Sequence, residues 1–188
     1  MLNAGMREEA AALACAALPS FYEPLPQDEV LRALANEFME DGCELSESLA
    51  EVRNGIVVGL IAAYPSSEIR ERQQSSLHLL LSQLRPHEVA PFLTHVKLSS
   101  SGVPPVPDGT HYLARFSVIP EQRGSGLADR LISVLLSSIS GAEGLSLHVH
   151  SDNRRAIAFY QKHGFSIAGR LDQPYIAMYR TIEINKYG

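Results

Sequence analysis

Val118–Leu136, VIPEQRGSGLADRLISVLL, leaves a strand-like run, sets two glycines around one serine and enters an amphipathic helix. A strand-to-helix turn needs one glycine at most. Two so close together imply that something approaches the backbone there. A glycine-rich turn opening a helix makes an anion site, because free N–H groups converge and the helix dipole adds partial positive charge. Arg123 can add a full charge. Two familiar phosphate loops are excluded: no Gly-Lys-Ser/Thr ending is present, and the dinucleotide glycine spacing is missing. Taken alone, RGSG is still only a glycine-eased turn.

Outward from this loop, Tyr112–Ile119 reads as the strand that feeds it and Ser125–Ile139 as the helix that follows. Leu145–His150 is the next strand, Asn153–His163 the next helix, and Phe165–Ala168 and Tyr175–Ile184 two more strands. Such alternation predicts an α/β layered domain with at least one parallel strand pair. Upstream, a helix over about residues 6–18 closes at LPS. A second starts at Pro26, carries Asp28 and Glu29 in its first turn and stops by Gly42. Asn54-Gly55 between β-rich runs predicts a two-residue hairpin. Ile56–Tyr64, apolar on both faces, belongs inside a covered sheet.

Pro65–Gly109 has another texture. SSLHLLLSQL and PHEVAPFLTHVKL read as two short amphipathic helices, and SSSGVPPVPDG as an irregular, proline-rich loop. An insert of this length either walls a site or merely thickens the domain. Leu77, Leu79, Leu80, Leu81 and Leu84 must pack somewhere, on the sheet or over a cleft mouth. His78, His87 and His95 have no metal-ligand spacing, and no metal is expected.

A second stretch gives the loop its meaning. SDNRRAIAFYQKHGF, Ser151–Phe165, puts Asn153 at a helix start, Tyr160 within the helix and Gly164-Phe165 at its stop. The two stretches together resemble the GCN5-related N-acetyltransferase (GNAT) superfamily over about residues 112–168. The resemblance implies a mixed, largely antiparallel sheet with a splayed central parallel strand pair and helices on both faces. It implies acetyl-CoA as co-substrate, its pyrophosphate held by Arg123, Gly126, Ala128 and the amides of Gly124, Ser125 and Leu127. Its pantetheine arm would pair with the backbone of Ser117, Val118 and Ile119. Asn153 would contact the arm or cap its helix, and asparagine caps well. Tyr160 would protonate the departing thiolate, or else pack against the sheet.

The base is open in this pattern. Family members with a glutamate in the fourth strand differ from YLARFSV here, which offers no carboxylate. His148 stands where another branch of the family has a glutamate, and His150 follows on the same strand face. Either could deprotonate an ammonium near neutral pH, or both could be satisfied histidines with water as the base. A non-catalytic acyl-CoA-binding regulatory module on the same fold, and transfer of a longer acyl chain, are the rival readings.

Composition narrows the partners. The 188 residues carry a net charge of -5, which argues against nucleic acid or an anionic membrane, both of which want a basic surface. Cys15 and Cys43 have no metal-type spacing and fit two thiols in a reducing cytoplasm. The apolar AAALACAAL follows MREEA, whose acids do not suit a signal peptide. The sequence therefore reads as one cytoplasmic GNAT-like domain over 1–188 with an insert at 65–109. Its acceptor would be an amine, on a small molecule or on a protein N-terminus or lysine. Relatives in the family form dimers, so a homodimer is among the expectations.

Overall fold

The computed structural model describes residues 2–168 and 173–182. Helix α1 (Ala4–Ala17) is capped by Asn3, whose side chain accepts from the Met6 amide at 3.0 Å. A single turn, α2 (Pro19–Tyr22), follows, then α3 (Gln27–Glu37). Pro26 occupies the cap of α3, one position before the first helical residue expected for it. Asn54 and Gly55, at φ 52° and 80°, make the turn between β1 (Leu49–Arg53) and β2 (Ile56–Pro65).

The insert is more helical than its sequence predicts. Helix α4 (Ile69–Gln83) begins well before SSLHLLLSQL, because its first half is polar and carries no apolar stripe. Helix α5 (Pro86–Ser100) starts with proline, and Glu88 accepts from the Arg85 amide at 2.8 Å. After α5, residues 101–109 run without regular structure.

Strand β3 (Thr110–Val118) leads through a 3₁₀ turn at Pro120–Gln122 into α6 (Leu127–Ser138). Then come β4 (Gly144–His150), α7 (Arg154–Lys162), β5 (Ser166–Ala168) and β6 (Tyr175–Thr181). The end expected for the last strand at Ile184 lies outside the described residues.

The sheet order is β1-β2-β3-β4-β6-β5, antiparallel except for β3 and β4. One face packs α1, α3 and α4 through Ala10, Ala14, Leu34, Leu60 and Leu80; the other packs α6 and α7 through Ile61, Leu131, Ile132, Leu147 and Tyr160. The mixed sheet with helices on both faces is as the sequence implied. Leu80 and Leu84 are buried in the α1–α3 cluster, with Leu77 and Leu81 half-buried against it. The insert's leucines thus thicken one face of the domain. Among the described residues no helix is long and apolar enough to cross a membrane.

Two features shape the middle of the sheet. The parallel pair is short: Thr110, His111 and Tyr112 pair with Gly144, Leu145 and Ser146, and no pairing continues beyond them. Just there β3 bulges. Ala62 pairs with Arg115 and Ala63 with Leu113, which leaves Ala114 as the extra residue. A bulge bends its strand and increases its twist, so β3 turns away from β4.

Gly144 starts the parallel pair, and a Cβ there would run into the backbone carbonyl of Arg180 on β6. Backbone cannot step aside as a flexible side chain can. Gly144→Ala is expected to lower the unfolding free energy by about 1–3 kcal/mol, measured by urea titration. An unchanged midpoint would show that β4 and β6 are not packed this closely.

Candidate active site

The divergence of β3 and β4 opens a cavity of about 250 Å³. Ala114 and Phe116 line it from β3, His148 and His150 from β4, and Asn153 and Tyr160 from the start and middle of α7. The turn between α1 and α2 closes the far side with Leu18, Pro19, Ser20 and Phe21, and Tyr175 of β6 completes the wall. The cavity therefore passes through the sheet. Tyr160 lies in the apolar cluster of the α6/α7 face, and His148 meets Tyr112, whose ring packs on Tyr64 towards α4. Pro65–Gly109 contributes no lining residue but backs the wall: Phe92 is buried edge-on to Phe21, and His95 Nε2 donates to the Ser20 carbonyl at 3.2 Å.

In the turn between β3 and α6, Gly124 and Gly126 have φ of 81° and 80°, the left-handed region that glycine enters without strain. Gly126 is the N-cap of α6. Among the described residues the amides of Gly124, Gly126 and Ala128 have no acceptor, while Leu127 N–H makes only a long 3.4 Å bond to Ser125 Oγ. Arg123 is exposed beside them. The turn is tied to β1 through Arg53, which donates to the Gln122 side chain at 2.8 Å. Asp129, in the first turn of α6, is neutralised by Lys162 at 2.6 Å and His163 at 3.0 Å. The Lys162 hydrogen bond, foremost, holds its carboxyl below the usual range. The result is a set of open donors beside Arg123, which suits a phosphate group.

Along β3 the three expected backbone positions are not equivalent. The Ile119 amide donates to the Val58 carbonyl at 3.0 Å. Antiparallel alternation then turns the polar backbone groups of Ser117 and Ile119 towards β2, and those of Val118 into the gap. Of the three, Val118 is the residue whose backbone is left for an extended ligand.

Inside the cavity, the Tyr160 hydroxyl has no partner among the described residues. Burial, and then the nearby Tyr112, push its pKa up, so at neutral pH it is a proton donor. Asn153 does cap α7, accepting from the Ala156 amide at 3.1 Å, and also lines the cavity. His150 is exposed, packs edge-on to Tyr175, and accepts from the Asp152 amide at Nδ1. His148 is half-buried, and burial lowers its pKa, partly offset by the Pro104 carbonyl.

Beneath β3 lies a buried polar cluster that sequence reasoning did not find. Arg115 donates to Glu44 at 2.8 Å, to the Tyr22 hydroxyl at 3.3 Å and to the carbonyl of bulged Ala114 at 2.9 Å. Glu44 also accepts from Tyr64 at 2.7 Å, and Glu37 accepts from Ser76 at 2.8 Å. One guanidinium thus serves two buried carboxylates. Neither glutamate lines the cavity, so the carboxylate absent from β3 is not replaced there.

Comparison with known proteins shows the family of the chain. It matches the Acetyltransferase (GNAT) family over residues 10–165. The chain belongs to that family. GNAT enzymes are acetyltransferases that use acetyl-CoA as co-substrate, as the two sequence stretches implied. Among curated relatives, it is 36% identical over 72 residues to the peptidyl-lysine N-acetyltransferase YjaB of Salmonella typhimurium, covering 36% of this chain and 47% of that protein. It is 33% identical over 67 residues to N-alpha-acetyltransferase 30 of Schizosaccharomyces pombe, covering 35% of this chain and 45% of that one. The chain thus spans about half the length of the curated relatives it matches. The fold is shared with an N-acetyltransferase from Staphylococcus aureus Mu50, at TM-score 0.73 and 20% identity, covering 94% of this chain and 96% of that one.

The buried cluster has a pH signature. Burial, opposed by Arg115 and reinforced by Glu44, pushes the Glu37 carboxyl up to about 7. A carboxyl raised on folding stabilises the fold below its unfolded pKa, and that contribution fades as pH rises to the folded value. Unfolding free energy should fall by up to about 3 kcal/mol between roughly pH 4.5 and 7, and Glu37→Gln should remove most of that slope. Equal slopes in urea titrations of both proteins would rule out Glu37 as the cause.

Proposed function

We propose that this GNAT protein transfers the acetyl group of acetyl-CoA to a primary amine by direct attack in a ternary complex. The observation that carries the reading is the cavity where β3 and β4 part, with the Tyr160 phenol within it, together with the open amides of the turn that follows β3. The pyrophosphate binds at Arg123 and the amides of Gly124, Ser125, Gly126, Leu127 and Ala128. The arm pairs with Val118 and passes Asn153, which brings the thioester beside Tyr160. The amine enters from the α1–α2 side, so the two substrates meet across the gap.

The chemistry then needs little more than alignment and two proton transfers. The amine nitrogen attacks the carbonyl carbon, and the C–S bond breaks. Tyr160 gives its proton to the departing sulfur, while the ammonium proton passes to a base on the histidine side. The acceptor end, formed by Leu18, Pro19, Phe21, His150 and Tyr175, is mainly apolar and aromatic. That favours an amine beside an apolar group over a polycation. A peptide lysine, a peptide N-terminus or a small arylalkylamine all meet that description. The reaction belongs to the cytoplasm, where Cys15 and Cys43 stay thiols.

Acetyl-CoA consumption with four amines (an N-terminal peptide, a lysine peptide, phenethylamine and spermidine) tests this reading. No amine-dependent thiol release with any of them would favour the non-catalytic acyl-CoA-binding module instead. Gly126→Glu places a carboxylate in the amide turn, where a new Cβ meets no neighbour but φ of 80° strains any side chain, so affinity is read on a variant shown to fold. It should weaken acetyl-CoA binding by about 1–3 kcal/mol, roughly ten- to hundredfold; unchanged calorimetric affinity would move the pyrophosphate elsewhere. Tyr160→Phe should lower kcat on the order of 10²-fold with little change in KM for acetyl-CoA. Wild-type turnover would reduce Tyr160 to packing.

A further inference from the structure

The far wall of the cavity is one short turn, and the fold holds it from two sides. Phe21 and Tyr22 are neighbours in α2 with separate anchors. The Tyr22 hydroxyl accepts from Arg115 at 3.3 Å, beneath β3. The Phe21 ring lies against the insert, edge-on to Phe92 at 5.6 Å and with His95 at 6.5 Å. Phe92 is 1% exposed, so Phe21 has a filled core behind it and no room to retreat. His95, by donating to the Ser20 carbonyl, ties the backbone of the same turn to α5. Helix α2 is therefore a fixed wall.

A fixed wall decides what the cavity admits. On its side the Ser20 carbonyl is taken by His95, the Leu18 carbonyl accepts from the Phe21 amide at 3.1 Å, and Pro19 has no N–H. Across from it, the His150 carbonyl accepts from the Asn153 amide at 2.9 Å, and the Ser151 amide donates to the Pro174 carbonyl at 2.8 Å. With these groups already paired, an entering peptide chain would bury its own amides without partners. No Asp or Glu is among the described residues that line the cavity, so a second ammonium would be buried unpaired as well. What the walls offer is apolar and aromatic surface from Leu18, Phe21, Phe116 and Tyr175. Helix α1 ends at the same wall with Ala17, and the partial negative charge of a helix C-terminus suits one ammonium. The volume of about 250 Å³ falls short of the roughly 300 Å³ at which sites for drug-sized ligands begin, and the thioester end must share it.

We propose that the acceptor is a small primary monoamine with an aromatic or bulky apolar body, and that the insert selects it through Phe92 and His95, which fix the position of Phe21. The inference rests on the acetyl-transfer reading above and narrows its candidate amines to one class. Phe21 meets the apolar body of the amine, and Phe92 and His95 act through it as positioning residues. An insert that lines nothing thereby governs the choice of acceptor.

Calorimetry of the full chain saturated with coenzyme A reads amine binding without turnover. Phenethylamine should bind roughly ten- to hundredfold more tightly than the N-terminal peptide, the lysine peptide or spermidine. Equal or tighter binding of any of those three, or no binding of phenethylamine, would overturn the proposal. His95→Ala removes one hydrogen bond at a half-buried position and leaves the core filled. It should raise the Kd of phenethylamine roughly three- to tenfold, while the Kd of coenzyme A stays put. His95→Gln, whose side-chain N–H replaces the ring donor, should restore most of that affinity. Phe92→Leu keeps the core apolar but frees space behind Phe21, and should shift preference from phenethylamine towards the bulkier 2-(1-naphthyl)ethylamine. Steady-state rates should follow the same split, with KM for the amine rising and KM for acetyl-CoA constant. An amine Kd unchanged in both His95→Ala and Phe92→Leu, or equal weakening of amine and coenzyme A, would assign the insert to stability and overturn its part in selection. If none of the four amines is acetylated the acetyl-transfer reading fails, while the binding order still upholds or overturns the assignment of the cavity.

Discussion

The bulge at Ala114 is the constraint on which the site depends. Above it, β3 and β4 pair in parallel for three residues; below it they separate, and the cavity is that separation. Parting two central strands leaves backbone donors and acceptors without partners, which an interior cannot tolerate for free. Three devices answer that demand. Arg115 satisfies the carbonyl of Ala114, β2 holds alternate groups of β3 as far as Ile119, and Val118 is left to an extended ligand. The incomplete sheet thereby leaves a cavity with a free strand edge.

The bulge itself is held from below. Arg115 reaches Glu44 and Tyr22, so the bent part of β3 is anchored to the segment after α3 and to the turn that walls the acceptor end. A buried ion pair adds little net stability over a well-packed apolar equivalent, because desolvation offsets most of the attraction. Directionality is what apolar packing would lack. The planar guanidinium bonds three groups at fixed angles and thereby fixes strand, turn and bulged carbonyl relative to one another. Glu37 adds a second carboxylate to the same cation, and its raised pKa is the consequence of that imbalance.

How much of this could be read from sequence follows from how local each feature is. Asn54-Gly55, the glycines at 124 and 126, and Asn153 all act within a few residues of themselves, and each appears where its chemistry placed it. The resemblance carried the mixed sheet and its splayed parallel pair. The Arg115–Glu44 pair joins residues 71 apart, and Tyr112 and Pro104 reach His148 across 36 and 44. Nothing in their local sequence marks them. The non-equivalence of Ser117, Val118 and Ile119 needed the register of β2 against β3, which a hidden bulge shifts by one residue. Helix α4 was underestimated because its amphipathic signal starts only halfway along.

The two halves of the site therefore have different origins. The cofactor half is built from backbone: open amides, a strand edge and a helix end, all specified by glycines and strand order. Such a half varies little with side-chain identity, which is why a short motif suffices to reveal it. The half we propose for the acceptor is lined by side chains of the α1–α2 turn, β4 and β6, and the insert backs it without lining it. His148 in its wall is bonded to the Tyr112 hydroxyl and the Pro104 carbonyl, both far away in sequence. A change in the proline-rich loop would reach His148 through Pro104 without touching the 123–128 turn, so the two halves can vary independently on one sheet.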